Sequence, residues 1–205
     1  MSSRSDALLY HRPSGQYVPA TLIDGVSRRE VVDSESKWRP LIRNAISSNI
    51  KTPGFQVPQH AHWDWVEYHD KAKVHDLLVY QIMGIECGGD MQGLMLIKNA
   101  GVYCQIPSQK GLGMVYIIFL ESAPWNVPSI VKEPIYRHVG STLLAAAIDV
   151  SEQCEFKGRI GLHALPQADS YYSNRCNMTD LGPDAKKSNL RYFEMTAQQA
   201  KQFRS

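Results

Sequence analysis

Residues 134–144, PIYRHVGSTLL, decide how this chain is read. A strand-rich apolar block precedes them, and an amphipathic helix begins inside them. Gly140 is expected to let the backbone turn tightly, so that the amides of Val139, Gly140, Ser141 and Thr142 open the helix without intrahelical acceptors. A helix start of this kind draws anions through its N–H donors and the positive end of the helix dipole. Arg137 adds a fixed positive charge, and Ser141 and Thr142 add hydroxyls, a set suited to a diphosphate. The competing reading is an ordinary loop that caps a core helix, and the flanking sequence has to separate the two.

Composition narrows the class. The 205 residues are 43% hydrophobic and 20% charged, which fits a single globular domain, expected to span residues 1–205. No apolar run approaches the roughly 20 residues of a membrane-spanning helix, and the first residues, MSSRSDALLYHRPSG, lack the apolar centre of a secretory signal. The expectation is a cytoplasmic protein with no membrane partner. Cys87, Cys104, Cys154 and Cys176 are scattered without a CxxC pair, which suggests packed thiols rather than a disulfide framework or a zinc site. A net charge of +2, without a basic stripe interleaved with aromatics, points away from nucleic acid.

Working outward from the loop, residues 114–121, MVYIIFLE, read as a strand buried on both faces. Before it lies a meander: an apolar stretch from His75 onward, a turn at Gly88-Gly89-Asp90, then MQGLMLIKN. Residues 122–134 hold Pro124, Pro128 and Pro134 and are expected to be irregular. The helix from Ser141 to about Glu155 buries Leu143, Leu144, Ala147, Ile148 and Ser151, and stops near Lys157-Gly158. RIGLHAL is then a short strand, residues 167–175 a short helix after Pro166, and LRYFEMT a last strand. The first 74 residues read as mainly helical, with one extended piece at residues 16–23. Helices are placed at residues 35–46, with Trp38, Leu41, Ile42 and Ala45 on one face, and at residues 61–74, with Trp65, Tyr68 and Ala72 close to one stripe.

This order of elements resembles the GNAT superfamily of N-acetyltransferases. Residues 137–142, RHVGST, resemble its acetyl-CoA loop, (Q/R)xxGx(G/A), with Arg137 and Gly140 fitting and Thr142 standing where a small residue is usual. The segment GRIGLHALPQADSYYSNRCNMTDLGPDAKKSNLRYFEMT resembles the final strands and helix. Tyr172 takes the family's tyrosine position, and Cys176, Asn177 and Met178 depart from its usual ending. The likeness covers residues 75–196, and residues 1–74 would shape the acceptor side. It implies an α/β (α+β) fold, a mixed and mostly antiparallel sheet with helices on both faces, and acetyl-CoA as acyl donor.

On that resemblance, the diphosphate is expected at Arg137, His138, Val139, Gly140, Ser141 and Thr142. Backbone groups of Ile117, Ile118, Phe119 and Leu120 would hold the pantetheine arm like an added strand, and one amide there would polarise the thioester carbonyl. Tyr172 is placed beside the sulfur as proton donor, since a free phenol titrates near about 10. Glu121, at the end of the apolar strand, is the first candidate for general base, and His163 the second. Each has a plain structural alternative: the tyrosine fills core, Glu121 meets solvent or a loop amide, and His163 is a hydrogen-bonded core histidine.

His60, His62, His69 and His75 do not complete a tetrahedral ligand set, so no metal is expected. Trp63 and Trp65 read as core or as lining of an acceptor pocket, and Cys104 and Cys176 as buried thiols. The function implied is acetyl transfer to the primary amine of a small molecule or peptide, with a homodimer among the assemblies open to it. The alternative is a catalytically degenerate acyl-CoA sensor or interaction module, for which Thr142 and the RCNM ending speak. A transferase acting on aminoacyl-tRNA is a third reading, and the missing basic stripe argues against it.

Overall fold

The computed structural model describes residues 2–55, 57–75 and 79–204, without the side chain of His75. Its sheet of nine strands, counted among the described residues, has the order β6-β1-β2-β3-β4-β5-β7-β9-β8 and is flanked by helices. The strands are β1 (Ser3–His11), β2 (Gln16–Asp24), β3 (Tyr80–Cys87), β4 (Asp90–Lys98), β5 (Val115–Ser122), β6 (Tyr136–Arg137), β7 (Ile160–Ala164), β8 (Thr179–Asp184) and β9 (Leu190–Met195). The helices are α1 (Arg28–Asn49), α2 (Trp65–His75), α3 (Val139–Gln153) and α4 (Ala197–Phe203). Pairing is antiparallel at β1–β2, β2–β3, β7–β9 and β8–β9, and parallel at β5–β7. The mixed, mostly antiparallel sheet expected from the sequence is the sheet observed.

By contacts the chain forms two compact units, one of residues 1–77, 82–95 and 120–140, the other of residues 78–81, 96–119 and 141–205. In the first, the opening segment corrects the mainly helical expectation for residues 1–74. Strand β1 joins β2 as a hairpin closed by Gly15, whose φ of 68° suits a residue without Cβ and whose N–H donates to the His11 carbonyl at 3.0 Å. Helix α1 begins at a capping box, with Ser27 and Glu30 bonding each other's backbone, and it buries Val31, Ser34, Trp38, Arg39 and Ile42. Leu41, expected on that face, is 39% exposed. Helix α2 begins at Trp65 rather than Ala61, because Ala61 and Trp63 donate to Pro58 and His60 in turns. Its buried side is Trp65, His69 and Ala72. The forked ion pair of Arg28 with Asp70, at 2.9 Å, ties α1 to α2.

The β3–β4 hairpin turns through Gly88 and Gly89, both at positive φ, as such tight connections require. Leu77 and Leu78, counted with this meander in the sequence, lie outside the described residues. Residues 122–134 are not wholly irregular: a single 3₁₀ turn, Pro124–Asn126, stands within them, and β6 follows to pair with β1 through Tyr10–Arg137 and His11–Tyr136.

In the second unit, α3 buries Leu143, Leu144, Ala147 and Ile148, and the Ser151 hydroxyl donates to the Arg159 carbonyl at 2.7 Å. Strand β8 and helix α4 add to what the sequence suggested. Glu194 on β9 is buried and accepts the backbone N–H groups of Gln105 and Ile106 at 2.6 and 3.0 Å, which pins the segment before β5.

Packing in the first unit is tight at Gly84, where a Cβ would stand 2.7 Å from Met91 Sδ and 2.9 Å from Val26 Cγ2. Gly84→Ala is expected to lower stability by about 1–3 kcal/mol, read from urea unfolding, because overpacking forces these side chains off their positions.

Candidate active site

Glu121 carries the most constrained chemistry in the first unit. It lies on β5 with Ile117 and Val115 on alternate positions, and it is 4% exposed where an apolar residue is ordinary. Its Oε2 accepts from Arg39 Nη2 at 2.7 Å and from Trp65 Nε1 at 2.5 Å. Arg39 in turn donates through Nε to Glu35 at 2.7 Å, and Glu35 accepts the Trp65 backbone N–H at 2.8 Å. The carboxylate is thus held by α1 and α2 together.

Burial pushes the Glu121 carboxyl up to about 7, against the pull of Arg39 and Trp65, which hold it from going higher. Its other oxygen, Oε1, is buried without a hydrogen-bond partner among the described residues. His60 Nε2 stands 3.8 Å from it and is likewise unpaired. Burial, with Arg39 and His62 adding positive charge nearby, lowers the His60 pKa to about 4, so the ring is neutral near pH 7. Trp63 packs edge-on against His60 at 5.9 Å and against Trp65 at 6.5 Å. The sequence singled out Glu121 but not its partners. The available signal was that an acid closing an apolar strand needs a cation, and Arg39 sits next to Trp38 on the buried side of α1.

The expected anion loop begins differently from the sequence reading. The residue at the turn is His138, with φ of 71°, while Gly140 already lies within α3. Histidine is among the residues that tolerate this region, so the turn does not need glycine. Arg137 and His138 are exposed, Val139 is 3% exposed, and no acidic residue occupies the first turn of α3. The segment is anchored from outside the helix by β6 and by Arg12, whose N–H donates to the Ile135 carbonyl at 2.9 Å.

In the second unit, β5 and β7 pair through Val115–Ile160, Tyr116–Gly161 and Ile117–Leu162. Among the described residues this ladder ends there, although β5 and β7 both continue. Ile118 and Phe119 therefore lie past the last rung, and Leu120 follows them on the strand. A hydrogen-bonded chain closes the last rungs: the Tyr116 hydroxyl donates to His163 Nδ1 at 2.6 Å, and His163 Nε2–H donates to Asp184 at 3.0 Å. The carboxylate of Asp184 can only accept, which fixes the imidazole tautomer. His163 is lowered in pKa chiefly by burial, and Tyr192 lies against its ring at 4.7 Å. Both ring nitrogens are engaged, the arrangement of a hydrogen-bonded core histidine.

Tyr171 and Tyr172 lie on a single wide turn, Tyr171–Arg175, closed by the Cys176 N–H donating to the Tyr171 carbonyl at 3.0 Å. Tyr172 is buried against Phe193, and burial raises its phenol pKa, with Cys176 adding to the effect. The Tyr171 phenol is also raised, chiefly by burial, and bonds with Cys176 and Ser141. All four cysteines are free thiols. Among the described residues no group of His, Cys, Asp and Glu could hold a metal ion, and no helix is long and apolar enough to cross a membrane.

Solved acetyltransferases share this architecture. The GNAT domain of S. lividans PAT superposes with a TM-score of 0.53 at 12% identity, covering 94% of this chain and 96% of that one. RimJ from Mycobacterium smegmatis, in complex with CoA-disulfide, gives 0.51 at 14% identity over 96% and 88% of the two chains. The PaiA N-acetyltransferase of Thermoplasma acidophilum, in complex with coenzyme A, gives 0.50 at 11% identity over 85% and 98%. The chain has the GNAT fold. No protein-family model and no curated protein matches its sequence.

Within this GNAT fold the buried Glu121 has a signature in stability. Its raised pKa means that the folded state binds the proton more tightly than the unfolded state. Stability attributable to Glu121 therefore falls as pH rises from about 4.5 to about 7, and the penalty is full above that. His60, with its lowered pKa, contributes the opposite slope between about 4 and 6.5. The two are separated by a difference measurement. Relative to Glu121→Gln, wild type is expected to lose about 3 kcal/mol between pH 4.5 and 8 in urea unfolding.

Proposed function

We propose that this protein is an acetyl-CoA-dependent N-acetyltransferase that moves the acetyl group directly to a primary amine. The observation that carries the reading is the end of the β5–β7 ladder at Ile117–Leu162, in a fold shared with CoA-bound acetyltransferases. A strand that loses the neighbour on one side offers the backbone groups of that side to an extended ligand, while β4 remains beside β5 on the other. The backbone of Ile117, Ile118, Phe119 and Leu120 holds the pantetheine amides, and one amide there polarises the thioester carbonyl. Arg137, His138, Val139, Gly140, Ser141 and Thr142 hold the diphosphate by charge, backbone N–H groups and hydroxyls. Acetyl-CoA supplies the activated thioester.

Glu121 takes the proton that the amine loses on attack, through its unpaired Oε1. A base with a pKa near the working pH suits this task, because it is both largely available and able to hold the proton. Tyr172 gives its phenolic proton to the leaving sulfur. Its raised pKa leaves it fully protonated before the step, as a donor must be. His163 is set aside as base, since both its nitrogens are bonded. The acceptor is an amine-bearing small molecule or peptide, and the compartment is the cytoplasm.

One observation favours a second reading, an acyl-CoA sensor: Tyr172 is packed against Phe193 rather than exposed. Thiol release from acetyl-CoA, followed against a panel of primary amines, separates the two. For a transferase, Glu121→Gln is expected to cost roughly 10²–10⁴ in turnover and Tyr172→Phe roughly 10² or more, with acetyl-CoA affinity by calorimetry unchanged. Binding without turnover in wild type supports the sensor, and neither binding nor thiol release overturns both.

A further inference from the structure

Two polar atoms in the first unit are buried, within 3.8 Å of each other and without a hydrogen-bond partner among the described residues: Oε1 of Glu121 and Nε2 of His60. The Glu121 side chain is 2% exposed and that of His60 13%. An unpaired buried acceptor costs free energy unless something fills it. Arg39 Nη2 and Trp65 Nε1 both donate to Oε2, and Arg39 Nη1 is buried without a hydrogen-bond partner of its own among the described residues. A separation of 3.8 Å is too long for a direct hydrogen bond and too short for two separate ligands. It is right for one donor atom standing about 2.9 Å from each.

With Glu121 ionised and the His60 proton on Nδ1, both atoms accept, Oε1 as a carboxylate oxygen and Nε2 through its lone pair. The group that satisfies both must bring two N–H or O–H bonds on a single atom. We propose that Glu121 and His60 form a two-point receptor for the nitrogen of a primary amine, so that His60 is a specificity-determining and orienting residue of the acceptor site.

This rests on the reading of Glu121 as base. A neutral primary amine that places one N–H on Oε1 and the other on Nε2 has its lone pair and its C–N bond on the two remaining tetrahedral directions. The nitrogen is thus oriented for attack on a carbonyl. As the N–C bond forms and the carbonyl π pair moves to oxygen, the nitrogen becomes cationic. It then gives one proton to Oε1, leaving Glu121 as the neutral acid. A secondary amine has one N–H and leaves either Oε1 or Nε2 unpaired. His60, with 13% of its side chain exposed, is the more accessible of the two residues.

The test needs no knowledge of the natural acceptor. With ¹⁵N-labelled imidazoles, the full-length protein is titrated near pH 7 with methylammonium chloride and, separately, with trimethylammonium chloride, and the His60 signal is assigned from its loss in His60→Phe. Methylammonium brings several N–H bonds on one nitrogen and trimethylammonium only one. The expected result is a shift of His60 Nε2 with methylammonium at a roughly tenfold or lower concentration than with trimethylammonium. That shift should be abolished in Glu121→Gln. Equal responses to the two ions, or no response of His60 to methylammonium in wild type, overturn the receptor; the wild-type comparison does not depend on the folding of Glu121→Gln, and His60→Gln serves for the assignment if His60→Phe does not fold. A selective His60 response in a protein without thiol release upholds the receptor and removes the transferase reading. Thiol release without any His60 response does the reverse.

Discussion

The first unit depends on one buried charge. Glu121 sits on a strand face otherwise given to Val115 and Ile117, and it is tolerable there only because Arg39 from α1 and Trp65 from α2 both donate to its Oε2. Replacing a buried ion pair by apolar residues is often neutral or stabilising, whereas removing one partner is costly. A carboxylate kept at such a position is therefore poorly explained by stability. The pair does fix which side chains may approach: Arg39 is committed to Glu35 and Glu121 together, and the Trp65 indole is turned so that its N–H meets the acid. One oxygen of the carboxylate is saturated and the other is left bare.

Two half-buried histidines, His163 and His60, show why that asymmetry carries chemical weight. His163 has a phenol on one nitrogen and a carboxylate on the other, and its burial therefore leaves no polar atom unmet. Its protonation would force Tyr116 to give up its acceptor, which is one cause for the ring to stay neutral. Its position at the end of the β5–β7 ladder makes it a clasp between those strands. His60 is enclosed to a similar degree but has no hydrogen-bond partner at Nε2 among the described residues. A fully bonded polar group specifies structure, whereas a buried one without a partner costs free energy and calls for a separate explanation.

The parts of this fold legible in the sequence were those with dense local signals. The β3–β4 turn is written as two consecutive glycines, β5 as an unbroken apolar run, and α3 as a regular apolar stripe. Strand β1 was missed because its residues are mostly exposed, with Leu9 as its one fully buried side chain, so no alternation of apolar and polar residues announces it. Strand β8 contains Gly182 and Pro183 and carries a register shift between Asp180 and Pro183, all of which read as turn. The turn before α3 was assigned to Gly140 because glycine is the usual residue at positive φ, whereas His138 takes it here. Glu121 was visible as an acid at the end of an apolar strand. Its partners Trp65 and Arg39 lie 56 and 82 positions away, a separation that no local pattern encodes.

That separation also explains how the acidity of Glu121 is set. Burial alone would push the carboxyl far up and make it a permanent acid, unable to accept a proton near pH 7. Arg39 alone, in solvent, would hold it below the ordinary carboxylate range, where it binds a proton weakly. The observed value of about 7 is the balance of the two. Glu35 shifts the balance further, since its negative charge raises the Glu121 pKa while its hydrogen bond shares Arg39. The network is therefore a means of setting proton affinity, and Oε1 of Glu121, which no donor reaches among the described residues, is where that affinity is expressed.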